Sequence, residues 1–328
     1  MIAEKIVVLT NGNYFARLIL ERLFLEYTEQ VAGAVLVRGD YGGQTGFRSL
    51  WQVGKRTALP YTVYKVVQYL MFHIAQRWRR DVWLEVAPMI RDCSVAKTPV
   101  YPQVPAHAPI WLNLCMPLLG LPAGCGIPLR NRAIRDLNIP FIEVARVNSQ
   151  EVFECVRGWQ PTLRVSVSCP QRIRTKILGL PPLGFLNIHS SLLPKYAGLA
   201  PYFWVLAENQ RETGITVHYM TEQFDEGNIL VQRRASIPQG ISAFWLFREL
   251  ALLGRDALIE AIHLALQGEK GIPQELSKRS YRSHPSWGAY RLLRRNGFAI
   301  ARLSELLRAA QEAPMFSTEI TIPKVKKP

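Results

Sequence analysis

Gly184-Phe185-Leu186-Asn187-Ile188-His189-Ser190-Ser191-Leu192-Leu193-Pro194-Lys195-Tyr196-Ala197-Gly198 begins as an apolar run, passes through two polar residues and ends in a turn bearing Pro and Gly. In a strand, residues two apart share a face. Asn187 and His189 therefore project together, while Ile188 turns the other way. An amide beside an imidazole at a strand end can polarise a carbonyl. Taken alone, the same Asn-x-His is also a strand with two satisfied polar side chains. Asp225, further along the chain, gives the pair an acidic companion and favours the chemical reading.

Outward from this strand the chain keeps an α/β rhythm. Leu163-Arg164-Val165-Ser166-Val167-Ser168 alternates strictly, as a strand should, and Cys169-Pro170-Gln171-Arg172-Ile173 is the loop at its carboxyl end. Ligands of open α/β sheets sit outside such ends. Near the start, Lys5 to Thr10 and Val31 to Val37 are apolar, β-branched runs flanking a helical period over Tyr14 to Tyr27. A β-α-β opening implies an open, mostly parallel, Rossmann-like sheet with helices on both faces. Ile139 to Val144 adds a short strand, and Asn148 or Ser149 caps the helix that follows. Downstream lie a helix over Ala200 to Glu208, strands over Gly214 to Met220 and Ile229 to Ala235, and a long helix capped by Ser242. Gly-x-Gly-x-x-Gly does not follow the first strand, so a dinucleotide site is unsupported.

Composition bounds the function. The 328 residues are 48% hydrophobic and 20% charged, enough for a sizeable core and unlike disorder. A net charge of +15 favours anionic partners, without choosing among phosphorylated small molecules, nucleic acid and acidic membranes. The odd count of five cysteines, lacking Cys-x-x-Cys, reads as reduced thiols, and no targeting segment is visible, so the expected location is cytoplasmic. The six histidines lack metal-ligand spacing, and no metal is expected. Pro109 to Pro122, the most apolar stretch, is too short for a membrane span, which needs roughly 20 residues.

Residues 1–270 are expected to form the catalytic domain, with an irregular or helical insertion at about 39–126. Within it, Arg38 to Gly54 is Gly-rich, Tyr61 to Val86 is helical in period, and Thr98 to Pro128 is Pro-rich and irregular. Residues 271–328 read as a basic, partly helical extension, with short helices over Ser286 to Arg295 and Arg302 to Ala310 and a polar tail.

Three blocks then carry a family signature: Asn187 to Gly198, Glu212-Thr213-Gly214-Ile215-Thr216-Val217, and Phe224-Asp225-Glu226-Gly227-Asn228-Ile229-Leu230. In order and spacing they resemble the folate-dependent formyltransferases, which include methionyl-tRNA, glycinamide ribonucleotide and sugar-nucleotide formyltransferases and the formyltetrahydrofolate hydrolases. The dense resemblance runs over about residues 137–235. It implies a reaction that moves a formyl group from 10-formyltetrahydrofolate to an amine. Asn187, His189 and Asp225 fall on the catalytic positions. Ser168, Cys169, Pro170, Gln171 and Ile173, with Thr221 and Glu222, fall on the folate-binding loops. The Arg common after Pro-x-Tyr is Ala197 here, and the Thr after the Asp is Glu226, departures that bear on recognition of the amine.

By this resemblance, His189 and the Asn187 amide stabilise the oxyanion formed when the amine attacks. Asp225 raises the basicity of His189 and takes up the proton the amine loses. His218, mid-strand, reads as structural. The acceptor is an unidentified small amine, expected to be anionic and phosphorylated or nucleotide-linked. A nucleic-acid partner rests on net charge alone, and the oligomeric state is open. Two alternatives stand beside transfer: hydrolysis of the donor, with water in place of the amine, and a non-catalytic folate-binding relative.

Overall fold

The computed structural model describes residues 4–37, 57–66 and 139–312. Two compact units divide the chain, 1–72 with 129–300 and 73–128 with 301–328. The expected loop at 38–54, most of the helix read over 61–86, the stretch 98–128 and the tail lie outside the described residues, although 59–66 is helical.

The first unit is built on a seven-stranded sheet. Its strands are β1 (Ile6–Thr10), β2 (Val31–Val37), β3 (Phe141–Val144), β4 (Leu163–Val167), β5 (Phe185–His189), β7 (Glu212–Tyr219) and β8 (Ile229–Ser236), in spatial order β3-β2-β1-β4-β5-β7-β8. From β3 to β5 every neighbouring pair is parallel, whereas β7 runs antiparallel to both β5 and β8. The short β6 (Ala197–Gly198) pairs in parallel with β9 (Tyr281–Arg282) in a separate ribbon. The mostly parallel Rossmann-like sheet read from the sequence is thus present. Its antiparallel flank is the part that residue pattern alone does not disclose, because an alternating strand looks the same in either direction.

Helices cover both faces. On one, Val7 and Leu9 of β1 and Val35 and Val37 of β2 pack with Val152 and Val156 of α2 (Gln150–Gly158) in one buried cluster. On the other, α5 (Ala243–Leu266) packs against α1 (Tyr14–Glu26), β7 and β8. Gly254 of α5 permits this approach, since a Cβ there would lie 2.8 Å from Ile188 Cδ1. Ile188 therefore faces α5. Asn187 and His189 face the α2 side, as strand alternation requires.

The caps follow the expected chemistry. Ser149 accepts from Val152 N at 3.3 Å, and Asn13 caps α1 by accepting from Ala16 N at 2.8 Å. The remaining helices are α3 (Thr175–Leu178), α4 (Pro201–Ala207) and α6 (Trp287–Arg295), with Ser286 capping α6. The stretch 271–300, expected as an extension, lies in the same compact unit as the sheet, where α6 packs on α4. In the second unit the described residues are 301–312, which hold α7 (Leu303–Glu312).

Ser242 is fully buried and accepts from Trp245 N at 3.1 Å at the start of α5. Because α5 backs the strands that carry the polar pair, Ser242→Ala should lower unfolding stability by about 1 kcal/mol. Urea midpoints of the two proteins check this, and an unchanged midpoint would remove the cap from the account.

Candidate active site

The site forms where β5, β7 and the turn after β7 meet. Antiparallel register sets Asn187 directly opposite His218 and His189 opposite Thr216. A register shift between β7 and β8 falls at Val217/His218. Such irregularities re-aim side chains beside functional sites. Asn187 Nδ2 and His218 Nε2 lie 3.3 Å apart. His218 Nδ1 donates to the Tyr219 carbonyl at 2.8 Å, and Nε2 faces the Asn187 amide.

His189 is also held at both nitrogens. Nε2 donates to the Tyr196 carbonyl at 2.9 Å, and Nδ1 faces Asp225 Oδ1 at 3.8 Å. His218 Nε2 approaches the same carboxylate oxygen at 3.7 Å. The other oxygen, Oδ2, accepts from Gly198 N at 2.8 Å. Asp225 is thus shared by two histidines from adjacent strands and a backbone N–H from β6. Its side chain is 10% exposed. Burial alone would push the carboxyl up. His189 first, then His218, the Gly198 N–H and Arg279 outweigh it and hold the group below the usual carboxylate range. His218 is moved down by its full burial, against the opposing pull of Asp225.

Local sequence explains how the loop reaches the sheet. Asp225 sits at φ 58°, a left-handed backbone that Asp tolerates better than most residues. Gly227 passes so close to Tyr219 that a Cβ would lie 1.8 Å from its carbonyl oxygen, so only glycine fits. The turn after β5 is fixed by β7: Thr216 Oγ1 donates to Ser191 O at 2.7 Å and accepts from Leu193 N at 3.2 Å. The Leu193–Pro194 peptide in this turn is cis.

The two loops read as folate-binding touch each other. Arg172 donates to the Glu222 carbonyl at 2.5 Å, and its guanidinium lies 5.6 Å from the centre of the Phe224 ring. Thr175 bonds the Glu222 carboxylate. Ser168, Cys169 and Pro170 are half-buried on one side, and Thr221 and Glu222 are exposed on the other. Ser168 falls just past β4, in left-handed backbone at φ 55°, rather than within the strand.

Two loop side chains turn inward. Gln171 accepts from Val147 N at 3.0 Å and donates to Ala145 O at 2.7 Å, bracing the segment after β3. Ile173 is buried in the cluster beneath α2. Burial pushes the Cys169 thiol up to about 11, so it is no nucleophile at neutral pH. Asn13, at the end of β1, is occupied as a helix cap.

The residues brought together are therefore Asn187, His189 and Asp225, with His218 as a fourth member that the sequence reading set aside. One signal could have found it. His218 and Thr216 are two residues apart and share one face of β7, and the antiparallel pairing with β5 puts that face beside Asn187 and His189.

Residues 130–262 match the family model described as formyl transferase. Over these residues the chain is similar to the formyltransferases. The methionyl-tRNA formyltransferases of Kosmotoga olearia and Anaeromyxobacter dehalogenans are each 36% identical to this chain, over 148 and 151 residues. Each alignment takes in 45% of this chain and 48% of the relative. The chain thus spans about half the length of the curated relatives it matches. Among solved structures, glycinamide ribonucleotide transformylase 1 from Symbiobacterium toebii superposes with a TM-score of 0.48 at 15% identity, covering 83% of this chain and 93% of that one. Among the described residues, no helix is long and apolar enough to cross a membrane.

Asp225 is more acidic in the folded protein than in the unfolded chain, where a carboxyl titrates near about 4. It therefore stabilises the fold in full above that pH, and the contribution is lost as the pH falls through the lowered folded value. The stability gap between wild type and Asp225→Asn, from urea unfolding, should shrink as the pH drops below about 4. A gap that widens on acidification would contradict the depressed acidity. Gly227→Ala should leave the protein folded but displace the Asp225 loop, seen as loss of the Asp225-dependent pH term in the same experiment.

Proposed function

We propose that this protein transfers a formyl group from 10-formyltetrahydrofolate to the amine of an anionic acceptor. The observation that carries the reading is the buried carboxylate of Asp225, set between His189 and His218 beside the half-buried Asn187 amide, in a region of formyltransferase ancestry. The two loops tied by Arg172 suit a flat donor. They set the half-buried Ser168, Cys169 and Pro170 beside the exposed Thr221 and Glu222, with Gln171 and Ile173 fixing the loop from behind. The donor, when bound, supplies an electrophilic formyl carbon.

The chain's own residues would then do three things. Asn187 keeps a second amide hydrogen beyond the one on His218, available to the oxygen that turns negative as the amine adds. His189 lies on the same face of β5, with Nε2–H on the Tyr196 carbonyl and Nδ1 toward Asp225, and would donate to that oxygen by giving up the Tyr196 contact. Asp225, ionised and backed by two imidazoles, is placed to receive the proton the amine gives up, directly or through water. The anionic character of the acceptor rests on the net charge of +15. Burial of the carboxylate beside paired imidazoles favours proton handling over a purely structural ion pair, since buried pairs add little stability by themselves.

An assay of tetrahydrofolate release with a panel of phosphorylated and nucleotide-linked amines tests the reading. His189→Ala and Asn187→Ala should each slow amine-dependent release by about 10²–10³-fold, the loss typical of one oxyanion donor. Equal release by wild type and His189→Ala would end the catalytic assignment.

A further inference from the structure

The segment 272–282 lies beyond the residues matched to the family, yet it runs along the Asp225 turn, the start of β8 and the turn after β5. Ile272 exchanges two backbone bonds of 2.8 Å with Ile229, at the start of β8. Gln274 Nε2 donates to the Asp225 carbonyl at 3.0 Å and the Gly227 carbonyl at 2.7 Å. Arg279 donates to the Phe224 carbonyl at 3.2 Å and reaches Glu226 Oε1 at 3.3 Å. Ser280 bonds Tyr196 N through its hydroxyl at 2.9 Å and Ala197 N through its carbonyl at 2.8 Å. Arg282 O accepts from Leu199 N at 2.8 Å.

Resting on the formyl-transfer reading, we propose that Gln274 is a positioning residue for Asp225. Its amide has two N–H groups, and each is used on a carbonyl flanking the turn that aims the carboxylate. The orientation of the amide is fixed by the same geometry, because flipping it would set Oε1 against two carbonyl oxygens. Oε1 has no donor among the described residues, so the side chain is held by its donors alone. The turn itself needs outside support: Asp225 is left-handed at φ 58°, and Gly227 is pressed against Tyr219 O. Without Gln274, two carbonyls lose their partner at the residue whose side chain must reach His189, His218 and Gly198 N at once. A displacement of about 1 Å in such a group can cost about 10²-fold in rate.

The titratable and charged groups facing Asp225 come from three elements: His189 on β5, His218 on β7 and Arg279 on this segment, whose charge is shared with Glu226. Gln274 is uncharged, so its removal alters their distances to Asp225 and none of their charges.

The test uses Gln274→Met, close in volume and without donors, and Gln274→Glu, which turns a carboxylate toward the two carbonyls. Two readouts are taken on the full chain. The first is the Asp225 carboxyl titration by ¹³C NMR, assigned with Asp225→Asn. It should move up toward the ordinary carboxylate range in both variants, with the larger move in Gln274→Glu. The second is tetrahydrofolate release. There kcat should fall tenfold or more while KM for the donor changes less than about threefold. A carboxyl titration unchanged in folded Gln274→Met overturns the proposal, since the added charge in Gln274→Glu shifts the carboxyl whether or not the turn moves. So does a loss confined to the thermal midpoint, with kcat intact. Should wild type release no tetrahydrofolate with any amine, the formyl-transfer reading fails, and the titration still decides whether Gln274 positions Asp225.

Discussion

One buried carboxylate governs the architecture of the site. Removing the Asp225 charge from water is costly, and nothing apolar can offset it. It is offset by His189 and His218 from neighbouring strands and by the Gly198 N–H. Each of those partners requires a distinct feature of the fold. The histidines require the antiparallel pairing of β5 and β7. Gly198 requires the β6–β9 ribbon, where a Cβ would lie 2.4 Å from Arg282 O. The carboxylate itself requires a loop that doubles back along the sheet through Asp225 and Gly227. Loss of any one leaves an ion buried without adequate partners, a far larger penalty than the pair is worth when intact.

Much of this was legible in the sequence. Strand parity placed Asn187 and His189 on one face, and the packing of Ile188 against Gly254 on the other is its direct counterpart. The caps at Ser149 and Ser242 were readable because a hydroxyl before an apolar period has few other uses. What was not legible depends on chain direction and on distant segments. Parity says which side of β7 His218 occupies relative to Thr216, but not that β7 reverses, so its approach to Asn187 could not be drawn. Gln274 carries no local pattern at all: its role exists only because the chain returns past the Asp225 turn.

The loop after β4 shows a different limit. The sequence reading had Ser168 to Ile173 hold a flat donor by backbone hydrogen bonds and apolar contact. Gln171 and Ile173 reach into the protein, and Asn148 ties the loop from outside by donating to Arg172 O at 2.7 Å and accepting from Arg174 N at 2.9 Å. A loop braced so fully through its side chains presents mainly its backbone. Recognition by backbone depends on shape, and shape is preserved by interior residues that never meet the ligand.

The register between β5 and β7 also constrains how this chain can vary in length. Asn187 meets His218 because the strands pair residue for residue, whereas the end of the connection between them, from Glu208 to Arg211, only has to bring the chain back. Insertions there change a loop and leave the pairing intact. Between His218 and Asp225 there is no such latitude, since both ends are fixed on the same carboxylate and Gly227 already touches Tyr219. The stretch of chain least able to gain or lose a residue is therefore a surface turn and not the core of the sheet.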